Sequence, residues 1–184
     1  MFQRVHVPKL ESDRLLLRGW AKRDVADLYE YASDPLVGPA AGWAPHRSQS
    51  ESRMIIDQIY TTKLDWAIVD KNSNKPIGNI GLDDDTIRCR TNSKELGYSI
   101  GSRYWGQGIA TEAVNLVKTY AFDELGLDCI TMRIETDNMG SKRVAEKTGF
   151  KYEGTLRQAY KRYDNQIVDM ACYSILDSEY YGWE

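Results

Sequence analysis

Hydrophobic positions along the chain follow two different periods, and the changes of period divide it into strands and helices. A period of two predicts strands at residues 14–18, 66–69, 77–82, 95–100, 130–136, 150–160 and 167–175. A period near 3.6 predicts helices at residues 24–32, 48–60, 108–125 and 139–147. Residues 37–47, rich in glycine, proline and tryptophan, are predicted to form a loop.

Two of these helices have an apolar side that predicts how they pack. The inner face of helix 108–125 is predicted to carry Ala113, Leu116, Val117 and Tyr120. The inner face of helix 48–60 is predicted to carry Met54, Ile55, Gln58 and Ile59.

The order of the elements predicts a mixed sheet. Residues 95–136 form a strand, a helix and a strand, which gives a right-handed parallel pair. Turns at residues 72–75 and 164–165 join the other strands into antiparallel hairpins. The fold class is therefore α/β (α+β), and the length of 184 residues predicts a single domain over 1–184.

Composition excludes several classes of function. The net charge of −3 argues against nucleic acid as a main partner. The same charge is compatible with a cationic amine as substrate. Three separated cysteines, Cys89, Cys129 and Cys172, and two histidines predict neither a disulfide framework nor a metal site. Because no apolar run is long enough to span a membrane or to form a signal peptide, we expect a cytoplasmic protein without membrane contact.

The turn before helix 108–125 carries the clearest chemical signal. Gly106 and Gly108 lie where a helix begins, and bare N–H groups at a helix start suit a pyrophosphate. No lysine follows, which excludes a P-loop, and Thr111 replaces the third glycine of a dinucleotide fingerprint. A plain strand-to-helix turn is the alternative, since Gly-x-Gly alone is common.

The run Arg103-x-x-Gly106-x-Gly108-x-Ala110 resembles the pyrophosphate loop of the GNAT superfamily of acetyl-CoA-dependent N-acetyltransferases. Further segments are similar to the RimJ/RimL-type branch, which includes N-terminal acetyltransferases of ribosomal proteins. They are Asn138-Met139-Gly140-Ser141, Lys147-Thr148-Gly149-Phe150, Glu153-Gly154, Trp43-Ala44-Pro45-His46 and residues 77–82. With the order of elements, the resemblance covers residues 14–176.

The resemblance implies a GNAT fold, with a mostly antiparallel sheet whose central parallel strands splay apart after a bulge and lie between helices. It implies acetyl-CoA as co-substrate, no metal, and a primary amine as acceptor, either a peptide N-terminus or a small molecule. The alternatives are a polyamine or antibiotic acetyltransferase and a coenzyme A-binding module with little catalysis. The oligomeric state stays open, with a homodimer as one alternative.

The resemblance also implies which residues form the site. The cofactor-binding residues are Tyr98, Ser99, Ile100, Arg103, Gly106, Gln107, Gly108, Ile109, Ala110, Thr111, Asn138 and Ser141. Many GNAT enzymes protonate the thiolate with a tyrosine at the position held here by Ala145. This chain lacks that tyrosine, but Ser141 matches the serine that RimJ/RimL-type enzymes present to the sulfur, which implies a hydrogen bond from Ser141 to the leaving thiolate.

Glu95 is the first candidate for the base that takes the amine proton, and Glu135 and Glu112 are weaker candidates. Trp43 and His46 are the predicted acceptor-site residues. Each has a structural alternative: a strand-end carboxylate for Glu95, and packing for the two aromatic residues. Asn138 can be a helix cap, a cofactor contact or both.

Overall fold

The computed structural model describes residues 5–88 and 92–182; Cys89 lies outside these ranges. Eight strands form one sheet in the order β1-β2-β3-β4-β5-β6-β8-β7. The strands are β1 Leu10–Glu11, β2 Leu15–Arg18, β3 Leu64–Asp70, β4 Lys75–Asp84, β5 Ser93–Ile100, β6 Cys129–Glu135, β7 Lys151–Lys161 and β8 Ile167–Leu176. The α-helices are α1 Val25–Ala32, α2 Val37–Ala40, α3 Gln49–Gln58, α4 Ile109–Asp123, α5 Met139–Lys147 and α6 Asp177–Tyr181.

Strand β3 shows how the sheet comes to be covered on both faces. Successive side chains of a strand point to opposite faces, and five consecutive residues in the middle of β3 are buried. Trp66 and Ile68 pack into the larger core with α4. Ala67 and Val69 pack into a second core with α1 and α3. The sheet is therefore a middle layer between helices, as the predicted fold class requires.

Helix α4 begins and packs as the sequence predicts. Gly108 precedes it with φ 77°, and Gly126 follows it with φ 61°, a left-handed conformation that glycine adopts without strain. Ala113 and Val117 on its predicted inner face are fully buried. Leu116 and Tyr120 pack partly buried against the same core.

The predicted inner face of α3 is right only in part: Ile55 packs against the second core, and the other predicted residues do not. Met54 and Ile59 are 46% and 40% exposed, whereas Ser52 and Ile56, one helical turn apart, are buried. The Ser52 hydroxyl makes a buried hydrogen bond of 2.9 Å to His46 Nδ1. A small polar residue lies on the inner face because the preceding loop packs there, which hydrophobic periodicity does not reveal.

Three short elements were not predicted: β1, α2 and α6. Helix α2 lies inside the segment predicted as a loop. Its Pro39 is tolerated because first-turn N–H groups have no intrahelical partner, and Val37 anchors the turn in the core. Helix α6 is held by Tyr180, which stacks on Phe122 at 4.8 Å between ring centroids.

The parallel strands β5 and β6 part near their middle. They pair from Ser93↔Cys129 to Glu95↔Thr131, and no later residues of the two strands pair. β5 remains paired with β4 up to Ile100, and β6 remains paired with β8 up to Glu135. The β4–β5 register is continuous, so the bulge expected from the family resemblance is not seen in that ladder.

An ion pair lies across the point where the strands part. Arg133 Nε donates to both carboxylate oxygens of Glu95 at 2.9 Å, and Arg133 Nη2 lies 2.7 Å from Glu95 Oε2. The two side chains are only 28% and 18% exposed. Hydrogen bonding to Glu95 raises the pKa of the Arg133 guanidinium, so the guanidinium stays charged.

We expect that replacing either partner leaves a partly buried charge without its partner. Glu95→Gln and Arg133→Met should each lower the free energy of unfolding by about 1–3 kcal/mol. The double variant should lose less than the sum, as a double-mutant cycle from urea unfolding would show. Asp83→Asn, which removes the exposed Lys63–Asp83 pair, is the control and should cost under about 1 kcal/mol. Additive losses would mean that the two charges are not coupled.

Candidate active site

A cavity of about 700 Å³ opens where β5 and β6 diverge. Both α4 and α5 begin at its wall, each after the strand that precedes it. Its lining is Val37, Pro39, Ala40, Ala41, Tyr98, Ser99, Ile100, Tyr104, Trp105, Gly106, Gly108, Ile109, Ala110, Thr111, Glu135, Asp137, Asn138, Met139, Gly140, Ser141, Arg143, Val144, Lys147 and Arg162. Ten of the twelve predicted cofactor-binding residues therefore lie at one cavity; Arg103 and Gln107 do not line it.

The glycine turn presents bare backbone to this cavity. Gly106 has φ 74° and Gly108 has φ 77°, conformations that strain any residue with a Cβ. A Cβ at Gly106 would meet no atom within 4 Å, so the side where it would lie is open. No side chain caps the start of the 15-residue helix α4. Its first N–H groups and its dipole therefore face the cavity, which suits a phosphate.

The positive side chains at the cavity differ from those predicted. Arg103 forms an ion pair with Glu30, and Gln107 Nε2 donates to the Arg103 carbonyl at 2.8 Å. Arg143 and Lys147 line the cavity instead. They are four residues apart on α5, and that spacing on one helix face is the signal that could have found them.

The start of α5 is fixed by Asn138 and Ser141. Asn138 Oδ1 accepts from the Ser141 N–H at 3.0 Å, which is the helix cap, and Asn138 Nδ2 donates to the Ala40 carbonyl at 2.9 Å. Tyr98 of β5 donates its hydroxyl to Ser141 Oγ at 3.1 Å across the gap between the strands. Burial raises the pKa of the Tyr98 phenol, so it stays a neutral donor. Ala145 is fully buried and offers no polar group.

The predicted acceptor residues do not line the cavity. Trp43 and His46 lie in the loop before α3, with ring centroids 5.3 Å apart. His46 is 9% exposed, and burial lowers its pKa, so it is neutral at pH 7 and bonds to Ser52. Trp43 lies against Gly38, where an added Cβ would come within 2.6 Å of the Trp43 carbonyl. This geometry fits the packing alternative for both residues.

The three candidate carboxylates lie in different surroundings. Glu95 does not line the cavity, and its two oxygens accept from Arg133, so the geometry gives no support to it as a base. Glu112 is bound by Ser12 and Arg14, which tie α4 to the N-terminal strands. Glu135 lines the cavity at the end of β6.

Two classes of site are absent from the residues that the structure describes. Within 5–88 and 92–182, no three or more His, Cys, Asp or Glu side chains are grouped so as to hold a metal ion. In the same ranges no helix has the length and apolar character needed to cross a bilayer.

Residues 14–151 match the family model described as an acetyltransferase (GNAT) domain. The chain belongs to the GNAT acetyltransferase family. It is 31% identical over 178 residues to the uncharacterized N-acetyltransferase p20 of Bacillus licheniformis, an alignment that covers 94% of this chain and 98% of p20. The chain is accordingly an N-acetyltransferase, and GNAT acetyltransferases use acetyl-CoA as donor.

Solved structures share the fold of this GNAT enzyme. A GCN5-related N-acetyltransferase from Brucella melitensis superposes with a TM-score of 0.82 at 26% identity, covering 97% of this chain and 83% of that one. The ribosomal-protein-S5-alanine acetyltransferase from Vibrio fischeri superposes with a TM-score of 0.76 at 23% identity, covering 92% and 97%. The central parallel pair and flanking helices of the predicted fold class are confirmed.

A side chain at Gly106 should block acetyl-CoA binding. Gly106→Val places a branched side chain in the open space beside the glycine turn, so calorimetry should show loss of acetyl-CoA binding in a folded protein. Gly126→Val is the matched control, because Gly126 also has positive φ and open space but lies outside the cavity lining. Both variants should lose about 1–2 kcal/mol of stability. Undiminished binding by folded Gly106→Val would show that the turn does not cradle the pyrophosphate.

Proposed function

We propose that this GNAT enzyme transfers the acetyl group of acetyl-CoA to the primary amine of a peptide N-terminus, in the manner of RimJ/RimL-type enzymes. The observation that carries the proposal is one continuous cavity. One part of its lining is the start of α4, which suits a phosphate, and another part is the hydrogen-bonded pair of Tyr98 and Ser141. The RimJ/RimL-like segments at Asn138–Ser141 and Lys147–Phe150 support the acceptor class, since they lie in and beside the same site.

The proposed arrangement of acetyl-CoA follows from charge and from unpaired backbone. The N-terminus of α4, Arg143 and Lys147 make one part of the lining positive, where the phosphates bind. The pantetheine arm lies along the edge of β5 that faces β6, at Tyr98 and Ile100, where the pairing with β6 has ended. Main-chain groups on that edge offer the hydrogen bonds that an extended amide chain can take up.

Ser141 is the proposed partner of the leaving sulfur. It lies at the start of α5, where the helix dipole favours negative charge, and its Oγ accepts a hydrogen bond from Tyr98 at 3.1 Å. Since that bond uses the Tyr98 proton, the Ser141 hydroxyl proton stays free to point at a thiolate. A neutral serine is a poor acid, so its contribution is a hydrogen bond to the developing charge.

The acceptor reaches the thioester past α2 and the β7–β8 turn, which line the remaining wall. Val37, Pro39, Ala40 and Ala41 give one side of this wall a small, uncharged surface. Glu135 and Asp137 supply carboxylates close by, which attract a cationic amine. A wall with small uncharged residues on one side and carboxylates on the other suits the N-terminal end of a peptide chain.

An acetyl-CoA turnover screen tests the proposal. Thiol release is measured with peptides bearing free N-termini, with polyamines and with aminoglycosides at matched concentration. Peptide-dependent release, with the acetyl group found on the α-amine by mass spectrometry, is expected. Turnover confined to polyamines or aminoglycosides would overturn the peptide acceptor, and tight acetyl-CoA binding without turnover would indicate a binding module.

Ser141→Ala should lower kcat by roughly ten- to a thousandfold, the range for loss of one transition-state hydrogen bond. The affinity for acetyl-CoA should change much less, because the contact forms mainly as the thiolate develops. Ser178→Ala on α6, outside the cavity lining, is the matched control and should behave as wild type. Unchanged kcat with a raised KM for acetyl-CoA would make Ser141 a cofactor-binding or capping residue instead.

A further inference from the structure

One carboxylate in the cavity has hydrogen-bonding capacity that the protein does not use. Glu135 is the last residue of β6, and its side chain is 16% exposed. Its Oε2 lies 3.2 Å from Arg162 Nη1. Its Oε1 is buried, and no described residue donates a hydrogen bond to it. A buried carboxylate oxygen without a donor is costly, which favours a small turn of the side chain that brings this oxygen to a ligand N–H group in the cavity.

Arg162 is held firmly by its own turn. Its Nη2 donates to Asp164 Oδ2 at 2.6 Å and to Gln166 Oε1 at 3.0 Å, and its main chain closes the β7–β8 turn on Gln166. These bonds fix the guanidinium so that Nη1 reaches Glu135 from across the strands. One oxygen of Glu135 is therefore occupied by the protein, and Arg162 holds the carboxylate at this end of the cavity.

We propose that Glu135 binds the acceptor ammonium group and receives its proton, with Arg162 as a positioning residue. The inference rests on the proposed function and deepens it. One proton passes from the R–NH₃⁺ group to the Glu135 carboxylate, and the nitrogen lone pair then forms the C–N bond with the acetyl carbonyl carbon. The C–S bond breaks, the sulfur leaves as a thiolate, and it takes up the second proton that the nitrogen loses. Glu135 returns its proton to solvent.

The chemistry of this carboxylate also favours one class of amine. The nitrogen attacks only after it has lost a proton, so an amine that gives up its proton readily is favoured. An α-amino group has a pKa of about 7.7–8.0, against about 10.4 for a lysine amine. At pH 7 the neutral fraction of an α-amine is therefore about 300 times that of a lysine amine. Glu135 is suited to the α-amine of a peptide, and a lysine amine or polyamine should be a poor acceptor.

Several charged groups surround Glu135. Arg162 approaches from the β7–β8 turn, where it also pairs with Asp164. Asp137 follows β6 and lines the same cavity, and Asp169 adjoins Met170, the β8 partner of Glu135. Helix α2 brings no charged residue to this wall. Arg162 is thus the direct ion-pair partner of Glu135.

The test compares Glu135→Gln with wild type from pH 6 to pH 10, using one peptide with a free α-amine. At pH 7 the variant should lose about 10²- to 10⁴-fold in kcat/KM for the peptide. The deficit should shrink above pH 8, where the amine is neutral without help, and acetyl-CoA affinity should stay unchanged by calorimetry. Glu153→Gln is the matched control, since Glu153 also forms an ion pair with an arginine, Arg88, but lies outside the cavity lining.

Two further variants separate positioning from folding. Arg162→Met should raise the KM for the peptide, because the Glu135 carboxylate loses its ion-pair partner. Arg162→Lys keeps a cation near Glu135 and should restore the KM. A purely structural role of Arg162 would change stability and leave the KM for the peptide unchanged. Glu95→Gln compares the two candidate bases, and a loss of kcat/KM at pH 7 in that variant together with normal kcat/KM in Glu135→Gln would overturn the proposal.

The choice of acceptor is tested with one peptide sequence in two forms. The first has a free α-amine, and the second has a blocked N-terminus and a free lysine. The free α-amine should be preferred by at least about 100-fold, and preference for the lysine form would overturn the inferred acceptor class. Absence of turnover with every amine would instead refute the proposed function. Normal turnover by Glu135→Gln at pH 7 would refute the role of Glu135 alone.

Discussion

The parting of β5 and β6 after Glu95↔Thr131 is the constraint on which the site depends. Each strand keeps full pairing with its other neighbour, so the gap has firm sides. Main-chain donors and acceptors that a parallel sheet would join are left facing one another across an opening too wide for direct bonds. Backbone N–H and C=O groups need hydrogen-bond partners, so an extended polar ligand is favoured between the two strands.

Both helices that follow the parted strands begin at the opening. Helix α4 starts after the glycine turn, and α5 starts on its Asn138 cap. In α/β sheets ligands bind beyond the carboxyl ends of strands whose connections diverge, and the cavity of this chain lies at such a place. The hydrogen bond from Tyr98 to Ser141 links the two sides of the cavity, next to the position proposed for the thioester.

Local signals in the sequence predicted the elements that depend on local physics. Helix α5 has the predicted bounds because a capping asparagine and a terminating glycine lie beside it in the chain. The face of α3 was predicted only in part, because it depends on the His46–Ser52 hydrogen bond, which hydrophobic periodicity does not reveal. The Arg133 partner of Glu95 and the unused oxygen of Glu135 depend on cross-strand register and on a distant turn.

The wall around α2 is assembled differently from the glycine turn. Asn138 Nδ2 reaches the Ala40 carbonyl, and the Tyr160 hydroxyl donates to the Gly42 carbonyl at 3.2 Å, joining segments about a hundred residues apart. Strand β5, the turn and α4 are consecutive in the chain. In the proposed arrangement the donor is therefore held by this block together with α5, whereas the acceptor wall is shared among separate loops. On that proposal, substitutions in those loops would change the amine that is accepted and leave the nucleotide contacts intact, which makes this scaffold easy to diversify in evolution.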